Sequence, residues 1–167
     1  GWAKFYSETG SIFIRITNLN YNSIELDFQK IKRVNPPSNS EGIRTKVKPN
    51  DILISITGDV GMIALVPEDM PNSYVNQHIC LARPHDEINA KYIALYLISD
   101  NAKKQFNILK KGAVKSGLGL GDIRSVWIPF PPLEEQKEII IKIEQGFSLI
   151  ENTTQIIESS LQNLQTM

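Results

Sequence analysis

The chain has 167 residues and a formal net charge of zero, with 41% apolar and 22% charged residues. This length suits one domain with an appendage, and the apolar content excludes a wholly disordered chain. No apolar run approaches the roughly 20 residues that a membrane-spanning helix needs. The N-terminus has no basic segment followed by an apolar one, and a lone cysteine, Cys80, cannot form an internal disulfide. These features predict a cytoplasmic protein with no membrane partner.

The first 130 residues are predicted to form short strands separated by turns, because apolar residues alternate with polar ones or cluster in β-branched runs. The predicted strands are 11–16, 24–28, 51–56, 62–66, 79–83 and 124–128. One helix is predicted from an N-cap at Asn89 to about Phe106, and a glycine-rich loop from Gly112 to Gly121. The pattern favours an α+β fold, mostly antiparallel, over a regular βαβ series.

After Pro129, Pro131 and Pro132 the only helix breaker is Gly146. Apolar residues then recur at alternating spacings of three and four, which predicts a helix of about 33 residues and about 50 Å. The candidate helix-pairing residues on this seam are Ile140, Ile143, Phe147, Ile150, Ile157, Leu161 and Leu164, with Thr154 as its polar position. Because one small domain cannot cover such a stripe, the helix is expected to pair with another helix. We therefore predict two domains, 1–130 and 131–167.

Charge is divided unequally along the chain. Residues 1–132 carry 16 basic and 12 acidic residues, a net +4, whereas residues 133–167 carry 2 and 6, a net −4. The basic excess is concentrated in two windows, 30–48 and 101–124. Such windows can neutralise phosphate groups, or they can be solvated loops with no ligand.

No catalytic, cofactor or metal site is recognisable. His78, Cys80 and His85 lack the spacing of metal ligands, and no serine is marked as an activated nucleophile. A strand is predicted after Gly117–Gly121, where a dinucleotide-binding loop needs a helix. The chain is therefore expected to be noncatalytic and to use no cofactor. Three aromatic residues are expected in the core rather than on a base-stacking surface; these are Trp2, Tyr74 and Trp127.

Taken in order, these segments resemble one half of the specificity subunit of a type I restriction–modification system. The resemblance includes residues 14–19, 51–61, 76–79 and 88–99, and its most specific block is IPFPPLEEQKEI at 128–139. The glycine- and threonine-rich lead-in usual before such a domain is absent or cut short. Only one recognition domain and one helix are present, where the usual subunit carries two of each.

The resemblance implies a target recognition domain that reads one half of a split sequence in double-stranded DNA. It also implies a spacer helix that recruits DNA methyltransferase (modification) subunits, with a restriction subunit as an open possibility. A second recognition half is expected, here as a homodimer with antiparallel helices.

Within this reading, phosphate contacts supply affinity and base-edge contacts supply specificity. Arg15 is expected either to form two hydrogen bonds with a guanine or to face an internal carboxylate. Asn18 or Asn20 is expected to hydrogen-bond an adenine. The lysines of the second basic window are expected to contact phosphates. The full set of candidate DNA-binding residues is Arg15, Asn18, Asn20, Lys103, Lys104, Lys110, Lys111, Lys115 and Ser116.

The alternative is a protein-interaction adaptor that assembles a complex through its C-terminal helix and never contacts DNA. The neutral net charge motivates it. Charge reversal at Lys110, Lys111 and Lys115 separates the two hypotheses, because an adaptor would keep its assembly and its cellular function. A third hypothesis is an enzyme, which the lack of a recognisable catalytic site disfavours. Methyl transfer or DNA cleavage by the isolated chain would support it.

Overall fold

The structure is a computed structural model that describes residues 2–85, 87–112 and 117–165. The chain divides into two compact units, Gly1–Pro129 and Phe130–Met167. Among the described residues, no helix combines the length and apolar character needed to cross a membrane.

In the described part of the first unit, seven short strands form two sheets. The strands are β1 Tyr6–Ser7, β2 Ser11–Ile14, β3 Lys32–Val34, β4 Ile52–Ser55, β5 Ile63–Leu65, β6 Ser73–Val75 and β7 Ile79–Ala82. One sheet has the order β1-β3-β2-β6 and the other the order β5-β4-β7. All these pairs are antiparallel except β2 with β6, which is parallel. The predicted hairpin of β4 and β5 is confirmed, with Ile52 opposite Leu65.

The described residues also form five α-helices. These are α1 Ser40–Thr45, α2 Ala90–Leu97, α3 Asp100–Gly112, α4 Leu120–Arg124 and α5 Leu133–Gln165. The antiparallel-rich sheets followed by the long helix confirm the predicted α+β class. Asn89 is the N-cap of α2, as expected, because its side chain accepts hydrogen bonds from the amides of Lys91 and Tyr92 at 3.1 and 3.2 Å.

The central strand β4 explains why residues 51–56 read as a continuous apolar run. Successive side chains of a strand point to opposite faces of its sheet. Ile52 and Ile54 pack in one cluster with Phe106 of α3, whereas Leu53 packs in a second cluster with Val75 of β6. Because both faces of β4 are buried, both sets of positions are apolar.

The aromatic residues divide between the core and the surface. Trp2 and Tyr74 are buried, and Trp2 stacks on Phe13 with ring centroids 5.0 Å apart. The same expectation is wrong for Trp127, whose exposed fraction is 83%. Its backbone is held by Gln105 of α3, because the amide and carbonyl of Trp127 bond to the Gln105 side chain at 2.8 and 2.9 Å. The peptide unit is therefore fixed while the indole faces solvent.

This pairing also explains why residues 124–128 are not a strand. Arg124 is the last residue of α4. The amide and carbonyl of Trp127, which would bond a neighbouring strand in a sheet, bond the Gln105 side chain instead. Residues 24–28 are likewise not a strand, although Ile24 and Leu26 are half-buried. That segment is held by isolated hydrogen bonds and not by a ladder; these include the bond from Leu65 N–H to the Ile24 carbonyl at 2.7 Å and the bond from Asp27 N–H to the Asn18 carbonyl at 2.9 Å.

Other differences concern helices and missed strands. The helix predicted from Asn89 to Phe106 is two helices, because Ser99 starts α3 by accepting a hydrogen bond from the Ala102 amide at 3.4 Å. The predicted glycine-rich loop ends at Gly121, but α4 begins within it at Leu120 and extends to Arg124, the first residue of the strand predicted at 124–128. Residues 113–116 of that loop lie outside the described residues. The strands β1, β3 and β6 and the helix α1 were not predicted.

The second unit contains α5, whose 33 residues match the predicted length. Two carboxylates, Glu134 and Glu135, lie in its first turn, where they interact favourably with the helix dipole. On the predicted seam, Ile140 is buried and Ile143 is half-buried. From residue 144 to residue 163 every side chain is exposed. The exposed seam residues are Phe147, Ile150, Thr154, Ile157 and Leu161, and the side chain of Leu164 lies outside the described part.

Candidate nucleic-acid interface

Two lysines of α3 meet two loops that are distant in sequence. Lys103 Nζ donates to Asn22 Oδ1 at 3.0 Å, and Lys110 Nζ lies 3.5 Å from the carbonyl oxygen of Gly58. The two lysines are seven residues apart, two helical turns, and so lie on one face of α3. We call this region, formed by loop 20–22, turn 58–59, Lys103 and Lys110, the lysine surface.

The turn between β4 and β5 is fixed from within. The hydroxyl of Ser55 donates to the carbonyl of Asp59 and accepts from the amide of Met62 at 2.8 Å. Gly58 has a positive φ of 63°, a conformation that most side chains disfavour. Burial, and to a lesser extent the nearby carboxylate of Asp59, raise the pKa of Tyr21. The turn and loop 20–22 are therefore close enough to interact electrostatically.

Asn20 belongs to the lysine surface and is exposed. Its backbone exchanges two hydrogen bonds with Ile63 of β5, at 3.3 and 2.8 Å. Its side-chain oxygen accepts from the Tyr21 amide at 2.9 Å, which orients the amide group. An exposed amide on a fixed backbone is suited to contact a ligand.

Asn18 has a different role from the predicted one. It is buried, its Oδ1 accepts from the Arg15 amide at 2.9 Å, and its Nδ2 donates to the Asp27 carbonyl at 2.7 Å. A buried amide engaged at both ends cannot reach a base without disrupting this turn. Asn18 therefore stabilises this turn, and its side chain is not free to contact a base as predicted.

Arg15 is half-buried, and of the two partners predicted for it the structure bears only on the internal carboxylate. Its Nη2 donates to the carbonyl oxygen of Lys30 at 3.0 Å, so the partner in the described structure is backbone and not a carboxylate. Its buried Nε makes no described hydrogen bond. The side chain therefore ties the end of β2 to the segment before β3.

The remaining predicted contacts lie on or after α3. Lys104 is exposed and one residue away from Lys103. The backbone of Lys111 belongs to α3, and nothing is described of its side chain. Lys115 and Ser116 lie outside the described residues. The structure thus places Lys103 against loop 20–22, which contains Asn20, and Lys110 against turn 58–59.

Thr57, Gln77 and His78 form a polar cluster that was not among the predicted contacts. Thr57 Oγ1 lies 2.7 Å from His78 Nδ1, and Gln77 Nε2 lies 3.0 Å from His78 Nε2. Thr57 directly precedes Gly58 of the lysine surface. The sequence did contain a signal for this cluster. Thr57 lies in block 51–61 and Gln77 and His78 lie in block 76–79, and both blocks contribute to the family resemblance. We call Thr57, Gln77 and His78 the Thr57 cluster.

Gly117 approaches the same place from a third direction. It forms an isolated bridge with Thr57, and the next amide, that of Leu118, donates to the Ile56 carbonyl at 2.7 Å. A Cβ atom at Gly117 would lie only 2.6 Å from that carbonyl oxygen. The close approach requires glycine, which gives Gly117 a packing role and not a phosphate-binding one.

An ion pair with one buried partner lies at the opposite end of the same strands. Asp51 is fully buried and accepts from Arg83 Nε and Nη2, both at 2.7 Å, and from the Lys48 amide at 2.6 Å. These bonds raise the pKa of Arg83. Arg83 also lines a surface cleft of about 520 Å³ with Lys48, Asn50 and His85. At roughly 3.3 Å per strand residue, the four residues of β4 separate this cleft from the Thr57 cluster by more than 10 Å.

Among the residues that the structure describes, no three His, Cys, Asp or Glu side chains are grouped to hold a metal ion.

Comparison with known proteins places these observations in a family. The family described as "Type I restriction modification DNA specificity domain" matches residues 5–160. The type I restriction enzyme EcoBI specificity subunit of Escherichia coli is 25% identical over 152 residues, which are 91% of this chain and 32% of that protein. The chain therefore spans about a third of the length of this relative.

Two solved structures share the fold. The HsdS subunit from Thermoanaerobacter tengcongensis has a TM-score of 0.70 and 20% identity, over 89% of this chain and 40% of that chain. A chain from a structure of the type I R-M system, solved for its complex assembly and conformational transition, has a TM-score of 0.68 and 21% identity, over 97% of this chain and 38% of that one. The family match covers more than nine-tenths of the sequence, and the chain belongs to the type I restriction modification DNA specificity domain family.

Proposed function

We propose that this chain is a noncatalytic DNA-recognition module that acts in the cytoplasm as part of a type I restriction–modification specificity subunit. In this role it reads one half of a split target in double-stranded DNA. One observation supports this most directly. Loop 20–22 and turn 58–59 converge on Lys103 and Lys110, which makes a polar surface with two cations from separate parts of the chain.

The lysine surface suits DNA for two reasons. Lys103, Lys104 and Lys110 can neutralise phosphates, which supplies affinity without sequence preference. The amide of Asn20 lies within the same surface and can bond an adenine edge, which supplies sequence preference. The +4 charge of residues 1–132 favours approach to a polyanion, whereas the −4 charge of residues 133–167 does not.

The helix α5 has a separate role in this proposal. Its exposed seam, from Phe147 to Leu161, leaves apolar side chains in solvent at the spacing of a helix–helix contact. We propose that the seam pairs with the helix of a second recognition half, as a homodimer with antiparallel helices. The paired helices would recruit the modification subunits and, where one is encoded, a restriction subunit.

The test is a titration of duplex DNA against salt with the modification subunits present. We expect Lys103→Gln with Lys110→Gln to weaken binding to all sequences and to lower the salt slope by about one per lysine. Lys142→Gln is the matched control, since it removes an exposed lysine from α5, and it should leave the slope unchanged. Sequence-specific methylation by the assembled complex is the decisive assay. Equal affinity and slope for the double variant and the control would contradict the proposal and favour the adaptor.

A further inference from the structure

The Thr57 cluster is a chain of hydrogen bonds that ends on an exposed side chain. Gln77 is exposed, and its Nε2 lies 3.0 Å from His78 Nε2. An amide NH2 can only donate, so His78 Nε2 accepts this bond and Nδ1 is the ring nitrogen left to donate. His78 Nδ1 then donates to Thr57 Oγ1 at 2.7 Å. Each member therefore orients the next.

The backbone of this chain is also fixed. Residues 76–79 form a turn in which the Ile79 amide donates to the Asn76 carbonyl at 3.3 Å. The Asn76 side chain accepts from the His78 amide at 3.1 Å, and the His78 carbonyl accepts from the Ile56 amide at 3.0 Å. Gln77 thus lies at the tip of a turn whose backbone is held on both sides. Its side chain is exposed and is not part of the buried core.

The turn adjoins the lysine surface. Thr57 is bonded to His78 and is followed by Gly58, whose carbonyl lies 3.5 Å from Lys110 Nζ. A phosphate held by Lys110 would therefore bring the bases of the same DNA close to Gln77. This step depends on the proposed function, because it takes the lysine surface as the DNA contact.

We propose that Gln77 reads an adenine in the major groove, with His78 and Thr57 as positioning residues. One N–H of the Gln77 amide is used by His78, which leaves the second N–H and Oε1 as a donor–acceptor pair. Adenine presents the complementary pair, an N7 acceptor beside an N6 donor. Holding the amide in advance reduces the entropy lost on binding, which is the advantage of the hydrogen-bonded chain.

The experiment selects bound DNA from a pool of randomised duplexes, using the full chain with its modification subunits, and sequences the selected DNA. Wild type should enrich a half-site with a required adenine. Gln77→Ala should relax that one position by roughly 5- to 150-fold, the range for a bidentate base contact, and leave the other positions unchanged. Thr57→Val removes the acceptor of His78 while keeping the shape of the side chain, and it should relax the same position less. Thr57→Ser keeps the hydroxyl and should restore the preference.

The outcomes separate this inference from the proposed function. Equal weakening on every sequence by Gln77→Ala would place Gln77 on the DNA backbone and overturn the inference, as would relaxation at a position that is not adenine or no change at all. A loss of preference with Thr57→Ser equal to that with Thr57→Val would overturn the positioning role. A wild-type chain that enriches no sequence would refute the proposed function, and the inference with it.

Discussion

The ion pair between buried Asp51 and exposed Arg83 predicts an asymmetry between its two partners. Asp51 is fully buried, whereas the side chain of Arg83 is 44% exposed. Arg83→Met therefore leaves a buried carboxylate with one described donor, the Lys48 amide. Asp51→Asn leaves a guanidinium that can turn to water. The substitution that strands the carboxylate should be the more costly one.

The magnitudes follow from the hydrogen bonds that each change removes. Arg83→Met removes two charge-assisted bonds of 2.7 Å from a buried group, and breaking such a pair costs about 3–5 kcal/mol. Asp51→Asn should cost about 1–3 kcal/mol, because the exposed part of Arg83 is screened by solvent. The double variant should cost less than the sum, since the second change removes the group that the first one stranded.

Urea unfolding followed by tryptophan fluorescence measures these costs, because Trp2 and Trp127 both lie in the first unit. Arg33→Met is a matched control, since it removes an exposed guanidinium that bonds a carbonyl and leaves no buried charge. Its cost should be about 1 kcal/mol or less. The reasoning is refuted if Asp51→Asn proves the more destabilising change, or if the two single costs add to within about 0.3 kcal/mol in the double variant.

Three further predictions concern α5, Trp127 and Cys80. Sedimentation of Ile150→Asp or Ile157→Asp should show a lower mass than the dimer that we propose for the wild type, because a carboxylate within the seam is costly; a dimer mass unchanged by both substitutions would remove the seam as the interface. Trp127→Phe should remove most acrylamide-quenchable emission, whereas the emission of buried Trp2 should persist. Burial raises the pKa of the Cys80 thiol above its ordinary 9.0, so the folded state retains the proton and the free energy of unfolding should fall as pH rises above 9.0; Cys80→Ala is the control and should show a smaller fall, the part caused by other groups such as Tyr21.

Features that depend on neighbouring residues were predicted from the sequence. The seam of α5 repeats every three or four residues over its whole length, so local periodicity is enough to identify the helix. The strands β4, β5 and β7 were found because their apolar runs end at turn residues, and β4 and β5 also pair as near neighbours in sequence. Asn89 was identified as an N-cap because capping involves only the next three residues.

Features that depend on distant residues were decided by the tertiary structure. The strands β2 and β6 pair in parallel although about sixty residues separate them, and no local pattern marks that pairing. Asn18 is buried and Trp127 is exposed, contrary to expectation, because their hydrogen-bond partners Asp27 and Gln105 lie nine and 22 residues away.

The candidate site shows the same division. The sequence by itself determined the family, the α+β class and the long helix. It also located the second basic window, which contains Lys103 and Lys110. Only the tertiary structure decided that Lys103 meets Asn22, 81 residues away, and that Thr57 meets His78, 21 residues away. Helices and turns form through contacts between near neighbours, so their signals are written locally. A binding surface forms when the core brings separate loops together, and residue spacing along the chain carries no record of that convergence.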